Sequence, residues 1–192
     1  MRLIFIRHGR TQSNVDHLLD TAFPGAPLDE VGLAQAQALP AKLAHEPIEV
    51  VMTSDALRAQ QTGAPLARGL GVPLIAHPGV REIFAGDWEM RSDWLDYQGV
   101  ILSWQTDPST AMPNGESGYS FFTRFDRAIA ELADDDCAAV VSHGAALFTW
   151  LAHRGNVEVG VDWRLGNTDT VVVEGRIGEW RIKSWAGRAI ST

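Results

Sequence analysis

Cysteine is almost absent from this chain. Cys137 alone among 192 residues excludes a disulfide framework. Position 143 is histidine, so Cys137 has no arginine six residues on and cannot head a cysteine-phosphatase loop. Lysine is nearly absent as well. Lys42 and Lys183 are the only two, and arginine carries the rest of the positive charge. That suits bidentate oxyanion binding, although the many alanines point to a general compositional bias. Positive charge is itself in deficit: 16 basic residues face 24 acidic ones, for a net charge of −8. Such a surface argues against nucleic acid or an anionic membrane as the main partner. No apolar run approaches the roughly 20 residues of a membrane span, and there are no repeats, low-complexity tracts or long linkers. A strand beginning at residue 2 leaves no room for a signal peptide, so a cytoplasmic enzyme is expected.

What is present fits one globular domain over residues 1–192, with 45% hydrophobic and 21% charged residues. Short apolar runs at residues 3–7, 48–52, 74–76 and 138–142 read as buried strands, and 170–174 and 180–184 as two more. Helical patterns lie between them. Asp29 is placed to cap a helix to about His45, with Leu33, Ala36, Leu39 and Leu43 as its apolar stripe and Pro40 expected to kink or split it. Ser54 is placed to cap a helix through Arg58 to about Gly69, and further helices are expected at 117–132 and 145–153. Alternation of this kind predicts a three-layer α/β/α fold with a mostly parallel central sheet. Residues 83–118 break the rhythm and read as a helical cap inserted over the C-terminal strand ends, carrying Trp88, Trp94 and Trp104.

The chemistry-bearing residues fall where strands end, which is where ligands bind in open α/β sheets. Arg7-His8-Gly9 follows the first strand and continues into Thr11 and Asn14. Arg58 lies one turn into the helix after the second. Arg81-Glu82 follows the third, and Ser142-His143-Gly144 the fourth. Two histidines, the arginines Arg7 and Arg58, and the Glu82 carboxylate thus converge on one face, with helix N-termini nearby to offer N–H groups to an oxyanion. Neighbouring arginines would repel a cation, so no metal site is expected. His17, His45, His77 and His153 stand outside any motif.

These motifs together resemble the histidine phosphatase superfamily, the phosphoglycerate mutase-like family. The matching residues are Arg7-His8-Gly9 with Thr11 and Asn14, Leu57-Arg58-Ala59 with Gln61-Thr62, Glu82 with Gly86, Trp88 and Glu89, Gly115-Glu116-Ser117, and Ser142-His143-Gly144. Leu28, Gly32, Gln35-Ala36 and Asn167 match too. The resemblance implies His8 as the nucleophile forming a phosphohistidine, and Arg7, Arg58 and His143 as holders of the phosphate oxygens. It implies Glu82 as general acid and then base, and Asn14 as a further phosphate contact. No metal or other cofactor is implied. The expected partner is a small phosphate monoester, and the oligomeric state is not legible.

Three positions depart from the common pattern. Arg10 stands where an acidic or amide residue is frequent, Ala85 where an aromatic is, and Met90 where glycine is. Arg10, Thr11 and Trp88 are possible contacts at the substrate rim. Ser13 replaces the tryptophan that cofactor-dependent mutases usually carry before the first-loop asparagine. This favours a phosphomonoester hydrolase over two alternatives, a phosphoglycerate mutase-type transferase and a non-catalytic phospho-ligand-binding module.

Overall fold

The computed structural model describes residues 1–155 and 163–190. Its centre is a seven-stranded sheet built from β1 (Arg2–Arg7), β2 (Val50–Thr53), β3 (Leu74–Ala76), β4 (Cys137–Ser142), β5 (Thr170–Arg176), β6 (Glu179–Trp185) and β7 (Arg188–Ala189). The spatial order is β3-β2-β4-β1-β5-β6-β7. The first four of these are parallel, and the last three join antiparallel. The parallel half is the α/β core that the alternating pattern predicts, and the edge strand β7 was too short to read in the sequence.

Side-chain alternation along β1 separates the two faces of the sheet. Leu3 and Phe5 point to one core with Val140, Phe125 and Trp150. Ile4 and Ile6 point to the other with Val141, Leu39 and Leu66. Helices α2 (Glu30–Leu43) and α3 (Leu57–Leu70) supply the second core, and α5 (Gly118–Ala130) and α6 (Gly144–Arg154) the first. Three layers result.

Several local expectations are corrected. Pro40 lies inside α2 but does not split it; its ring instead packs where Gly69 of α3 has no side chain. Leu33 is exposed, and Gly32 takes its place on the buried face. A Cβ at Gly32 would lie 2.1 Å from the Arg10 carbonyl oxygen, so the loop after β1 rests directly on α2. Ser54 does not cap α3, whose N-cap is Ala56; its hydroxyl accepts from Ala56 N–H in the preceding turn. Gly71 ends α3 in the left-handed conformation.

Between β3 and α5 the chain forms a 3-10 turn at Pro78–Val80, another at Gly86–Trp88, and helix α4 (Leu95–Ser103). Tyr97 and Trp104 from this region are buried in the first core, with Trp88 and Trp94 packed against it. Met90 lies here at φ 62°. Its side chain is half exposed, while its N–H bonds Leu19 O at 2.8 Å. A left-handed conformation costs a side-chain-bearing residue about 1–2 kcal/mol, more than the entropy that glycine loses. Met90→Gly is therefore expected to raise Tm by about 2–4 °C, the equivalent of ~1 kcal/mol in a domain of this size. A lower Tm in a thermal melt would show that methionine packing outweighs the backbone strain.

Candidate active site

Register brings the functional segments to one edge. Arg7 is paired with Ser142, and Thr53 with Val141, so the residues that follow β1, β2 and β4 emerge side by side. His8 leaves β1 with its own N–H on Ser142 O at 2.9 Å. Its ring is buried. Nδ1 lies 2.7 Å from Gly9 O, which fixes the proton on Nδ1 and makes Nε2 the acceptor nitrogen of the ring.

Arg58 is the hub. Its Nε–H is shared between His8 Nε2 and His143 Nδ1, each at 3.2 Å. Accepting at Nδ1 makes His143 carry its proton on Nε2. That Nε2–H is buried without a hydrogen-bond partner, as are Arg7 Nε and Arg58 Nη1. Buried donors left unpaired are costly in a folded protein. Unpaired donors on residues gathered beside the His8 ring suit an oxyanion. Arg58 is steered by Asp20, whose carbonyl accepts from Nη2 at 2.8 Å and whose carboxylate lies 3.6 Å from Nη1. Gly25 makes this possible: at φ 73° a Cβ there would lie 2.0 Å from Nη1. Arg7 is held by Nη1 donating to Leu165 O.

Burial, and then the Arg58 charge, hold both imidazoles well below the usual histidine range, so both are neutral in the folded protein. Glu82 is shifted the other way. Burial pushes its carboxyl up, and this outweighs the backbone N–H groups that favour the anion. Its Oε1 accepts from Ile83 N–H at 2.9 Å and Ala146 N–H at 2.7 Å, and its Oε2 from Ala145 N–H at 3.1 Å. The α6 N–H groups expected to face an oxyanion are thus occupied by Glu82. A 3-10 turn also separates β3 from Arg81 and Glu82. Arg81 itself turns to Asp55, in a two-pronged pair, with its guanidinium 4.6 Å from the Phe23 ring centre.

The remaining sequence candidates lie around this centre. Thr11 caps the short helix α1 (Gln12–Val15), with its hydroxyl accepting from Asn14 N–H. Asn14 Oδ1 accepts from Thr11 N–H and from Asn167 Nδ2, while Asn167 also donates to His8 O at 3.0 Å. Arg10 Nε donates to Asp29 at 2.7 Å, beside the N-terminus of α2. Trp88 is partly buried against the first core. Asp20 carries no sequence signal, because it acts through its backbone as well as its carboxylate. Thr62 is visible as a motif position without a role; it bridges Gly9 N–H and Arg58 O. Among the described residues no three His, Cys, Asp or Glu side chains gather as a metal ligand set, and no helix is long and apolar enough to cross a membrane.

Known proteins resemble this chain in sequence and in fold. Residues 3–187 match the model of the histidine phosphatase superfamily (branch 1). The adenosylcobalamin/alpha-ribazole phosphatase of Salmonella typhimurium is 37% identical over 159 residues, covering 79% of this chain and 78% of that one. The glucosyl-3-phosphoglycerate phosphatase of Mycobacterium tuberculosis is 30% identical over 134 residues, 68% of this chain and 60% of its own length. In three dimensions, mycobacterial glucosyl-3-phosphoglycerate phosphatase with VO3 superposes with a TM-score of 0.80 at 26% identity, covering 96% of this chain and 98% of that one.

Proposed function

Since the chain belongs to the histidine phosphatase superfamily, we propose that it hydrolyses phosphate monoesters of small metabolites through a phosphohistidine on His8, without a metal ion. The observation that carries this reading is a buried His8 imidazole joined to His143 through the shared Arg58 Nε–H, with unpaired buried donors at Arg7 Nε and His143 Nε2 among the same group of residues. The relatives named as phosphatases support hydrolysis as the reaction class. Their named substrates differ from one another, which carries the reading to small phosphorylated molecules and not to one compound. A cytoplasmic location fits that substrate class.

In the first step His8 Nε2 attacks phosphorus in line, and the bond from phosphorus to the ester oxygen breaks. Arg7, Arg58 and His143 hold the equatorial oxygens and offset their charge, with Asn14 at the edge of the cradle. The work done elsewhere by metal ions falls here to guanidinium groups. Glu82 delivers its proton to the departing alkoxide. Oε2 suits this, because it accepts only one N–H and keeps a free position. In the second step water attacks the phosphohistidine, gives its proton to the Glu82 carboxylate, and releases inorganic phosphate and neutral His8.

Phosphate release from a panel of monoesters in the presence of EDTA tests the reading. Turnover that survives chelation is expected. Interconversion of phosphoglycerates without release of phosphate would assign the site to transfer, and phosphate binding without turnover on any ester would reduce it to a binding module. The cradle also predicts a ligand effect. Orthovanadate at 100 times its Kd is expected to stabilise the fold by ~2.7 kcal/mol, or about 5–10 °C in Tm. An Arg58→Met variant should lose the shift, and an equal shift in that variant would place the anion elsewhere.

A further inference from the structure

The segment that carries Glu82 leaves a 3-10 turn at Val80 and runs on without regular secondary structure, yet its carbonyl groups from Gly79 to Glu82 are all taken. Arg124, on α5, donates from Nη1 to Gly79 O at 2.8 Å and Arg81 O at 3.0 Å, and from Nη2 to Glu82 O at 2.9 Å. Its other two N–H groups go to Glu116, from Nε at 2.6 Å and Nη2 at 2.7 Å. All five donors of the guanidinium are thereby used. The carbonyl left over, Val80 O, accepts from the Ser142 hydroxyl at 2.8 Å, one residue before His143. Glu116 holds the far side of the same loop: its Oε2 accepts from Phe84 N–H, and its N–H donates to Phe84 O at 3.1 Å. Gly79 lets the loop lie flat on α5, since a Cβ there would be 2.7 Å from Arg124 O.

We propose that Arg124, locked by Glu116, is the positioning residue that aims the Glu82 carboxyl at the leaving-group oxygen. The inference rests on the reading of Glu82 as general acid given above. Lysine cannot replace Arg124, because a point charge with three donors cannot span three carbonyls and a carboxylate in one plane. Glu82 would keep its N–H contacts to α6, but the backbone beneath it would be free to shift. Displacements of about 1 Å are enough to cost ~100-fold in rate.

The test is a ratio. Activity of Arg124→Lys is measured on an alkyl phosphate, whose leaving group needs a proton, and on p-nitrophenyl phosphate, whose leaving group does not. We expect kcat/KM for the alkyl ester to fall about 10–100-fold, with less than about a 3-fold loss on the aryl ester. General loosening of the fold would lower both alike, and that result overturns the inference. In a Glu82→Gln background Arg124→Lys is expected to change the ratio no further, since the two act through one group. A further tenfold change there would also overturn it. If Glu82→Gln alone leaves the ratio untouched, the general-acid reading is what fails. Should Arg124→Lys not fold, Glu116→Gln weakens the same clamp and is read by the same ratio, with a smaller change in the same direction expected and an unchanged ratio counting against the proposal.

Discussion

A His8→Ala variant is expected to release phosphate about 10⁴–10⁶-fold more slowly than the native protein, the range seen when a covalent nucleophile is deleted from a site whose binding groups survive. The loss should be the same for alkyl and aryl esters, because without His8 neither leaving group has an attacking atom. It should not come from unfolding. The His8 backbone stays bonded to Ser142 O, and Arg58 Nε keeps His143 Nδ1 as its acceptor. Removing the ring also removes a buried imidazole whose protonation burial and the Arg58 and Arg7 charges oppose. The native protein should yield a phosphoenzyme when quenched during turnover in base, where a nitrogen–phosphorus bond survives, and His8→Ala should yield none. A variant within tenfold of native turnover would remove His8 from the chemistry and leave the cradle as a binding site.

The legible part of this site is the part written in short runs. Arg7-His8-Gly9 and Ser142-His143-Gly144 sit directly after strongly apolar strands, so their positions follow from strand periodicity and the parallel register. Arg58 follows from its place in the first turn of the helix after β2. The illegible part is made of contacts across long sequence separations. Arg124 meets residues 79–82 through tertiary packing of α5 on a 3-10 turn, and no spacing in the sequence encodes that meeting. Asp20 supports Arg58 partly through a backbone carbonyl, to which side-chain identity gives no clue. Pro40 shows how packing overrides a local rule. In isolation it breaks a helix, yet here its ring fills the space over Gly69 and α2 continues. Met90 shows strain in the opposite way, as a departure visible in the sequence whose consequence appears only in its φ.

Glu82→Gln separates the two halves of the proposed reaction. Gln is nearly isosteric and its one carbonyl oxygen can take the place of Oε1, accepting from Ile83 and Ala146 N–H, but it has no acidic proton to deliver. General acid catalysis of this kind contributes about 10²–10⁴-fold, so turnover of an alkyl phosphate should fall by that factor. On p-nitrophenyl phosphate the first step should be nearly unchanged, and a burst of nitrophenol should precede slow release of phosphate, because water then attacks the phosphohistidine without a base. The pH profile carries the same signature. Glu82 is raised above its ordinary value by burial, so the native protein holds the acid form to higher pH than an exposed glutamate would. Its activity toward alkyl esters is present below that raised value and lost as pH rises through it. His8 works from the other side: burial and Arg58 pull it down, so its neutral, nucleophilic form persists at pH values where an ordinary histidine is charged. The two opposed shifts open a working window between them. Deleting the Glu82 proton should remove the alkaline limb from the kcat profile and leave the acid limb in place. An alkaline limb that survives in Glu82→Gln would assign the proton to another group. It would also leave the raised carboxyl as a structural cap on α6, with no part in the chemistry.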